Sequence, residues 1–177
     1  MNDIFGKDAF VASIDAKTGF RGTRITKALT SREWEKVRTF RQKYFFDKIP
    51  KEDPYTWTFE HQDHLHYLLY QGSEIVGYLH LQLWEKSRCA LRIIVIDQEY
   101  QHRGLGKKFL ADVEGWLRDQ EVMQLHVQSS LEAYPFYLKQ GYHEMPFNDP
   151  EGYETNPNSC DRELGKIFST FSDNKDQ

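Results

Sequence analysis

The order of the hydrophobic patterns predicts an α+β fold with a mixed, mostly antiparallel central sheet flanked by helices. Three consecutive strand patterns separated by short turns predict an antiparallel meander. A helical pattern then leads to a fourth strand, which implies a single βαβ crossover. The full order is helix, helix, three strands, helix, strand, helix, strand, strand. This order differs from that of a doubly wound parallel sheet, in which strands and helices alternate throughout.

The N-terminal part of the chain predicts a helix that begins at a recognisable cap. Residues 1–22 show no clear period, so we expect a loosely ordered segment that leads into Thr23–Lys27. Thr30 is followed three residues later by Glu33, which is the capping-box pattern. Apolar residues then recur at helical spacing, so a helix is predicted over residues 31–46. A second helical stretch is predicted from Pro54 toward His66.

The meander is predicted at Tyr67–Leu69, Ile75–Trp84 and Cys89–Ile96. Strict alternation along the middle strand would place Val76 and Tyr78 on the same face of the sheet. The third strand is apolar at nearly every position, which is typical of a strand buried on both faces.

The second half of the chain completes the α+β pattern. A helix is predicted from about Arg103 to Gln120, a strand at Val122–Gln128 and a helix at Leu131–Lys139, with Gly141 as its C-terminal stop. Two last strands are predicted at Tyr142–Phe147 and Glu163–Phe168, on either side of a long loop at Asn148–Cys160. We therefore expect one domain at residues 23–168 and a polar tail at 169–177.

Composition excludes several classes of protein. The chain has 177 residues, a net charge of -4 and an isoelectric point near 6.0, which argues against a generic nucleic-acid binder. Two cysteines cannot form a disulfide-dense scaffold. No run approaches the ~20 apolar residues that a membrane helix needs, and the first ten residues do not resemble a signal peptide. We expect a cytoplasmic protein without a membrane partner, either a monomer or a homodimer.

The strongest local signal is the turn Gln101-x-x-Gly104-x-Gly106, between a buried strand and a helix. Glycines allow close approach of a ligand, and the unpaired N–H groups at a helix start favour an anion such as a pyrophosphate. Arg103, Lys107 and Lys108 add positive charge. The same turn could instead solve a packing problem. It matches neither a P-loop nor a Rossmann fingerprint.

Two motifs together give a resemblance to the GNAT family of acyl-CoA-dependent N-acetyltransferases. The glycine turn is similar to the family's Gln/Arg-x-x-Gly-x-Gly/Ala signature. The run Ser130-x-x-Ala133-x-x-x-Tyr137-x-x-x-Gly141-Tyr142 is similar to its second motif, with Ser130 where the family has Asn. The resemblance implies a sheet splayed between the Cys89–Ile96 and Val122–Gln128 strands, which would make a slot for acetyl-CoA.

The resemblance also implies roles for individual residues. Tyr137 would protonate the departing CoA thiolate. The strand backbone would pair with the pantetheine arm and the loop would hold the pyrophosphate. The expected cofactor-binding positions are Ile94, Val95, Ile96, Gln101, His102, Arg103, Gly104, Leu105, Gly106, Lys107, Ser130 and Tyr137.

The general base is not evident from the resemblance. Family members often carry Glu or His where this chain has Ala90 and Arg92, and neither of these can act as a base at neutral pH. The candidates are His80 and then His126, because a histidine titrates near neutral pH. An ordered water is an alternative. His61, His64 and His66 invite a zinc interpretation, but no Cys accompanies them, so we expect a solvated helix end and no metal.

The sequence therefore predicts an acetyl-CoA-dependent N-acetyltransferase. Transfer would be direct, in a ternary complex, to a primary amine of a small molecule or peptide. The alternative is a non-catalytic module of the same fold that binds acyl-CoA or a protein. An acidic loop at residues 148–154 would suit a cationic acceptor.

Overall fold

The computed structural model describes residues 22–47, 52–150 and 161–168. They form a seven-stranded sheet in the order β1-β2-β3-β4-β5-β7-β6 with three α-helices. The segment predicted at 1–22 (Gly22 apart), the tail at 169–177 and most of the predicted long loop lie outside the described residues. The elements are β1 (Thr23–Lys27), α1 (Ser31–Arg41), β2 (His64–Gln71), β3 (Glu74–Trp84), β4 (Arg88–Ile96), α2 (Leu105–Asp119), β5 (Gln124–Ser129), α3 (Tyr134–Lys139), β6 (His143–Glu144) and β7 (Arg162–Ile167).

The pairing of the strands confirms the predicted α+β class. β1 to β4 pair antiparallel in sequence, and α2 then crosses over to β5, which lies parallel to β4. β7 pairs antiparallel with both β5 and β6, so β4–β5 is the one parallel pair among the described strands.

The first helix begins at the predicted capping box. The Thr30 side chain accepts a hydrogen bond from the Glu33 backbone N–H at 3.2 Å, and the Glu33 carboxylate accepts one from the Thr30 N–H at 2.9 Å. The Tyr70 hydroxyl of β2 donates to the same carboxylate at 2.8 Å, which ties the helix start to the sheet. After Arg41 the helix continues as one π-helical turn, Gln42–Phe46, and so extends to the predicted end.

The prediction of a second helix from Pro54 toward His66 is wrong. Only a short 3₁₀ segment at Thr56–Glu60 is helical there, and β2 begins at His64. The physical reason is a period of two. His64 and His66 face one side of the sheet, whereas Leu65 belongs to the apolar core on the other.

Gly141 ends α3 as predicted. It adopts a left-handed φ of +87°. The Tyr142 N–H donates to the Tyr137 carbonyl and the Gly141 N–H donates to the Leu138 carbonyl, both at 3.1 Å, which is a Schellman motif. This motif turns the chain back toward the sheet about one helical turn after Tyr137.

The two faces of the sheet differ in chemistry. α2 and α3 cover one face with a large apolar core, which includes Leu79, Leu91 and Leu125. α1 covers the other face with a smaller core and leaves room there for many polar side chains.

The prediction that Val76 and Tyr78 lie on the same face of the sheet is wrong. Val76 packs in the core under α2 and α3, whereas Tyr78 packs under α1. Leu69 is opposite Gly77 but Tyr70 is opposite Ile75, so the ladder contains a bulge at Val76. Such a bulge reverses the facing of the residues beyond it.

Candidate active site

The sheet opens between its two parallel strands, as predicted. β4 and β5 are paired only from Arg88 with Gln124 to Leu91 with Val127. β4 then continues to Ile96 along β3, while β5 continues to Ser129 along β7. From Arg92 onward, β4 therefore has no strand partner on its β5 side among the described residues. Five residues of this edge span about 16 Å at the rise of a strand.

The glycine turn lies at the mouth of this opening. Gly104 is the N-cap residue of α2 and has a left-handed φ of +79°. The Lys108 N–H donates a hydrogen bond to the Gly104 carbonyl at 3.1 Å, which is the first backbone hydrogen bond of the helix. The N–H groups of residues 105–107 therefore have no partner within the helix. A Cβ placed on Gly106 would lie 3.8 Å from Ile96 Cγ1 and 4.0 Å from Phe136 Cε2, so the turn adjoins both β4 and α3.

The side chains of the turn differ in what they contact. Gln101 Nε2 donates to the Ile96 carbonyl at 2.8 Å, which closes the end of β4. Arg103 donates to the Glu99 carbonyl at 3.0 Å. Leu105 is buried in the core, so only its backbone faces the opening. His102, with a φ of +61°, and Lys107 are exposed.

Tyr137 lies in α3, close to this turn. Its ring packs against the rings of Phe136 and Tyr142, and burial raises the pKa of its phenol. The phenol is therefore protonated at neutral pH. Its hydroxyl makes no hydrogen bond to another described residue. Ser130, before α3, accepts the Ala133 N–H at 3.2 Å through its hydroxyl, so this side chain shapes the turn that presents Tyr137.

On the opposite face, Arg41 organises a buried network of histidines. Its guanidinium is paired with Asp53 and faces the Tyr78 hydroxyl and His80 Nδ1, each at 3.2 Å. Because arginine can only donate, His80 Nδ1 is the acceptor, and His80 Nε2–H donates to His64 at 2.8 Å.

The network has a second branch from the same arginine. The Tyr78 hydroxyl, which accepts from Arg41, donates to His66 Nδ1 at 2.7 Å. His66 Nε2–H in turn donates to the Thr58 carbonyl at 3.2 Å. Both branches therefore require neutral imidazoles.

The pKa values of these histidines follow from the same geometry. Burial, reinforced by charges that include His61, Arg92 and Arg41, lowers the pKa of His64 to about 4. Burial, together with Arg41, lowers the pKa of His66 to about 3. Burial and the neighbouring His66 and Arg41 hold the pKa of His80 well below its usual range.

We expect this network to make the protein acid-sensitive. Below about pH 6.5 the unfolded chain binds protons that the folded histidines exclude, so stability present above that pH is lost as the pH falls toward 4. Each excluded proton contributes a slope of ~1.4 kcal/mol per pH unit. The free energy of unfolding, measured by denaturant at pH 7.5, 6.5 and 5.5, should show this slope.

A pair of variants isolates the network. His64→Gln should reduce the pH slope of the unfolding free energy by the amount that corresponds to about one proton. His143→Gln, which removes an exposed histidine outside the network, should leave this slope unchanged. Equal slopes in the parent protein and both variants would refute the assignment.

His126 lies where the two parallel strands separate. It is opposite Ala90, one residue before the last β4–β5 pair. Its Nε2 faces the Gln124 amide oxygen at 3.2 Å, so Nε2 carries the hydrogen and Nδ1 holds the lone pair. Nδ1 is buried and has no hydrogen-bond partner of acceptable geometry among the described residues. Burial and then Arg88 lower the pKa of His126, while the Pro146 carbonyl acts in the opposite direction.

Arg92 occupies the same region and face. Its side chain is 3% exposed and its guanidinium donates to the Gln82 amide oxygen at 2.9 and 2.6 Å and to the Asp149 carboxylate at 2.8 Å. The rings of Trp84 and Phe147 lie within 6 Å, at 5.7 and 5.1 Å. Arg92 is also the extra residue of a bulge, because His80 is opposite Ile93 and Leu81 is opposite Leu91.

A tyrosine connects the α1 side of the molecule to the glycine turn. The Tyr44 hydroxyl donates to Asp97, directly after β4, and accepts the Gln98 N–H at 2.8 Å. Lys43 adds an ion pair to Asp97 at 3.3 Å. Tyr44, Lys43 and the backbone of Gln98 together hold the pKa of Asp97 below its usual range, against the effect of burial.

Sequence reasoning missed most of these polar contacts. Arg41, Asp53 and Tyr78 were not predicted as a site, and His64 and His66 lie in a buried strand and not at a solvated helix end. One usable signal was present, because Arg92 is the single charged residue in the apolar run Cys89–Ile96. Asp149 carried no comparable signal, since it lies in a loop of many polar residues.

Two kinds of feature are absent from the described residues. No group of three or more His, Cys, Asp or Glu side chains in these ranges is placed to hold a metal ion. No described helix is both long and apolar enough to cross a membrane.

A sheet that opens between two parallel strands, with a glycine turn at the start of the helix that joins them, is the arrangement that the resemblance to an acetyltransferase implies. In agreement, a family model described as an acetyltransferase (GNAT) domain matches residues 20–156. The chain belongs to the GNAT family, and it is accordingly an N-acetyltransferase.

Solved structures show the same fold at low sequence identity. The ribosomal-protein-S18-alanine N-acetyltransferase from Escherichia coli is 20% identical, with a TM-score of 0.65 over 86% of this chain and 97% of that chain. PaiA N-acetyltransferase from Thermoplasma acidophilum, solved with coenzyme A, is 15% identical, with a TM-score of 0.60 over 83% and 99%. Arabidopsis thaliana Naa50, solved with the bisubstrate analogue CoA-Ac-MVNAL, is 17% identical, with a TM-score of 0.62 over 83% and 99%. No curated protein sequence matches this chain.

Proposed function

We propose that this protein transfers an acetyl group from acetyl-CoA to a primary amine, directly and in a ternary complex. The observation that carries the proposal is the unpaired edge of β4 beside the N-terminus of α2. Such an edge offers hydrogen bonds to an extended amide-containing arm, and the helix start offers N–H groups to a pyrophosphate. Bound acetyl-CoA supplies an activated acetyl thioester.

The residues that would hold the donor are those of the edge and the turn. The backbone of Ile94, Val95 and Ile96 would pair with the arm. The backbone of residues 104–107, with the charges of Arg103 and Lys107, would hold the phosphates, while Gln101 keeps the end of β4 closed. Ser130 would act through the turn before α3.

Tyr137 is our proposed general acid. Its phenol is protonated at neutral pH and makes no hydrogen bond to another described residue, so its proton is available to the leaving sulfur. In support of this role, α3 follows β5 at the end where β5 has left β4, so Tyr137 would lie beside the opening.

Of the two candidate bases, His126 fits better than His80. The Nδ1 lone pair of His80 accepts from Arg41, and its other nitrogen donates to His64, so His80 could take a proton only by breaking this network. Nδ1 of His126 holds a lone pair at the point where the strands separate. We therefore assign proton removal from the amine to His126 and a positioning role to His80.

Thermal unfolding with acetyl-CoA, with ATP as a phosphate control, tests the donor site. A ligand at ~100 times its Kd adds about 2.7 kcal/mol, which raises Tm by roughly 5–10 °C in a chain of this size. Release of free CoA thiol on addition of primary amines then tests transfer. A shift without thiol release from any amine would favour the non-catalytic module. The absence of any shift at millimolar acetyl-CoA would refute the donor site.

A further inference from the structure

We infer that Arg92 binds a carboxylate of the acceptor, and that Asp149 takes the place of this carboxylate when no acceptor is bound. The acceptor would then be a small α-amino acid, in which amine and carboxylate share one carbon. This inference rests on the proposed function and specifies its substrate class.

Arg92 is a buried positive charge in an otherwise apolar strand. A positive charge in an apolar strand costs free energy unless a partner is supplied. The bulge in β4 moves this one residue out of alternation at the point where pairing with β5 ends. If the phosphates lie at the glycine turn beyond Ile96 and the donor's arm follows the edge of β4, the acetyl end lies near Arg92.

The guanidinium of Arg92 is held in a geometry that suits a carboxylate. Gln82 receives two of its hydrogen bonds, and the rings of Trp84 and Phe147 flank it. A fixed planar fork is the geometry that recognises carboxylates. In the same cluster, the buried indole Nε1–H of Trp84 has no hydrogen-bond acceptor among the described residues and could supply a further donor.

The carboxylate now bound to Arg92 comes from outside the strands and helices. Asp149 does not belong to a strand or helix but to the segment after β6, and its side chain is 11% exposed. When a substrate carboxylate replaces Asp149, the buried charge of Arg92 stays neutralised. A neutral acceptor that displaced Asp149 would leave the Arg92 charge without a carboxylate partner.

The position of His126 agrees with this arrangement. Its ring lies 5.4 Å from the Trp84 ring, and Trp84 also contacts the Arg92 guanidinium, so base and arginine share one cluster on one face. An amino acid with its carboxylate on Arg92 therefore has its amine close to the groups proposed to act on it.

The test compares amino acids with amines that lack only the carboxylate, for example L-phenylalanine with 2-phenylethylamine, across a panel of side chains. We expect at least one amino acid to be acetylated with a kcat/KM more than about 10-fold above that of its decarboxylated partner. Arg92→Gln should lower this kcat/KM by about 100-fold, and should lower it more than the kcat/KM of the decarboxylated amine, so that the preference for the amino acid is lost. The variant should still bind acetyl-CoA in calorimetry, and this binding would show that the variant is folded.

Asp149→Asn gives the opposite result. It keeps the shape of the side chain but removes the competing charge, so the KM for the amino acid should fall, and direct binding of the amino acid in the presence of CoA should strengthen. The matched control is Glu144→Gln, which removes an equal charge from an exposed ion pair with Arg162. This control should change neither quantity.

The possible failures are distinguishable. If decarboxylated amines or peptides are acetylated as well as or better than amino acids, the inference is overturned and the proposed function stands. If neither amino acids nor amines release thiol, the proposed function fails, and this inference fails with it.

Discussion

Replacement of Tyr137 by phenylalanine should lower kcat by about 100-fold or more, because general acid catalysis typically contributes a factor of 10²–10⁴. The substitution removes one oxygen atom from a ring that stays packed between Phe136 and Tyr142. The Kd for acetyl-CoA should therefore change by less than about twofold. Steady-state kinetics at saturating substrates and calorimetric titration with acetyl-CoA measure the two quantities separately.

Tyr134→Phe provides a matched control for this prediction. It makes the same chemical change in the same helix, at a residue that is only partly buried against the core cluster of Tyr137 and whose ring lies near Arg162. Its kcat should stay within about twofold of the parent value. A Tyr137→Phe enzyme with full kcat would remove Tyr137 from the mechanism.

A carboxylate at position 106 should abolish acetyl-CoA binding without unfolding the protein. A Cβ at this position meets its nearest neighbours at 3.8 and 4.0 Å, which is ordinary contact, and an acidic residue is favoured in the first turn of a helix. The carboxylate of Gly106→Asp would nevertheless lie where the pyrophosphate is proposed to bind. Two like charges about 4 Å apart repel by ~4 kcal/mol near a protein surface, so the Kd should rise by at least about 100-fold.

Gly106→Asn separates charge from size. The amide has nearly the same volume as the carboxylate but carries no charge, so Gly106→Asn should weaken acetyl-CoA binding less than Gly106→Asp does. The melting temperatures of the two variants without ligand should be similar to that of the parent. If Gly106→Asp binds acetyl-CoA normally, the turn has a purely structural role.

The features that the sequence predicted correctly depend on neighbouring residues. The capping box joins Thr30 to Glu33, and the Schellman motif needs only Gly141 and the residues before it. The opening between β4 and β5 was implied by the resemblance, which rested on two short motifs. Each of these follows from a few adjacent residues, and local chemistry is what a sequence displays directly.

The features that were missed depend on partners far apart in the chain. The stretch toward His66 was predicted as a helix, because the buried partners that make it a strand, such as His80 and Arg41, lie on other elements. The predicted face of Val76 was wrong, because a bulge cannot be recognised from the local alternation of apolar and polar residues. Arg92 was visible as an isolated charge, but its contact with Asp149 spans 57 positions.

We expect the hydrogen bonds of Tyr44 to couple donor binding to the position of the first helix. One hydroxyl joins the end of the first helix to the residues that lead into the glycine turn. A donor that shifts this turn on binding would shift the helix that covers the polar face of the sheet as well. Because coupling between two binding equilibria is reciprocal, an acceptor that fixes the helix changes the affinity for the donor by the same factor. Cooperativity between donor and acceptor would then depend on the hydrogen bonds of Tyr44, even though neither ligand contacts Tyr44.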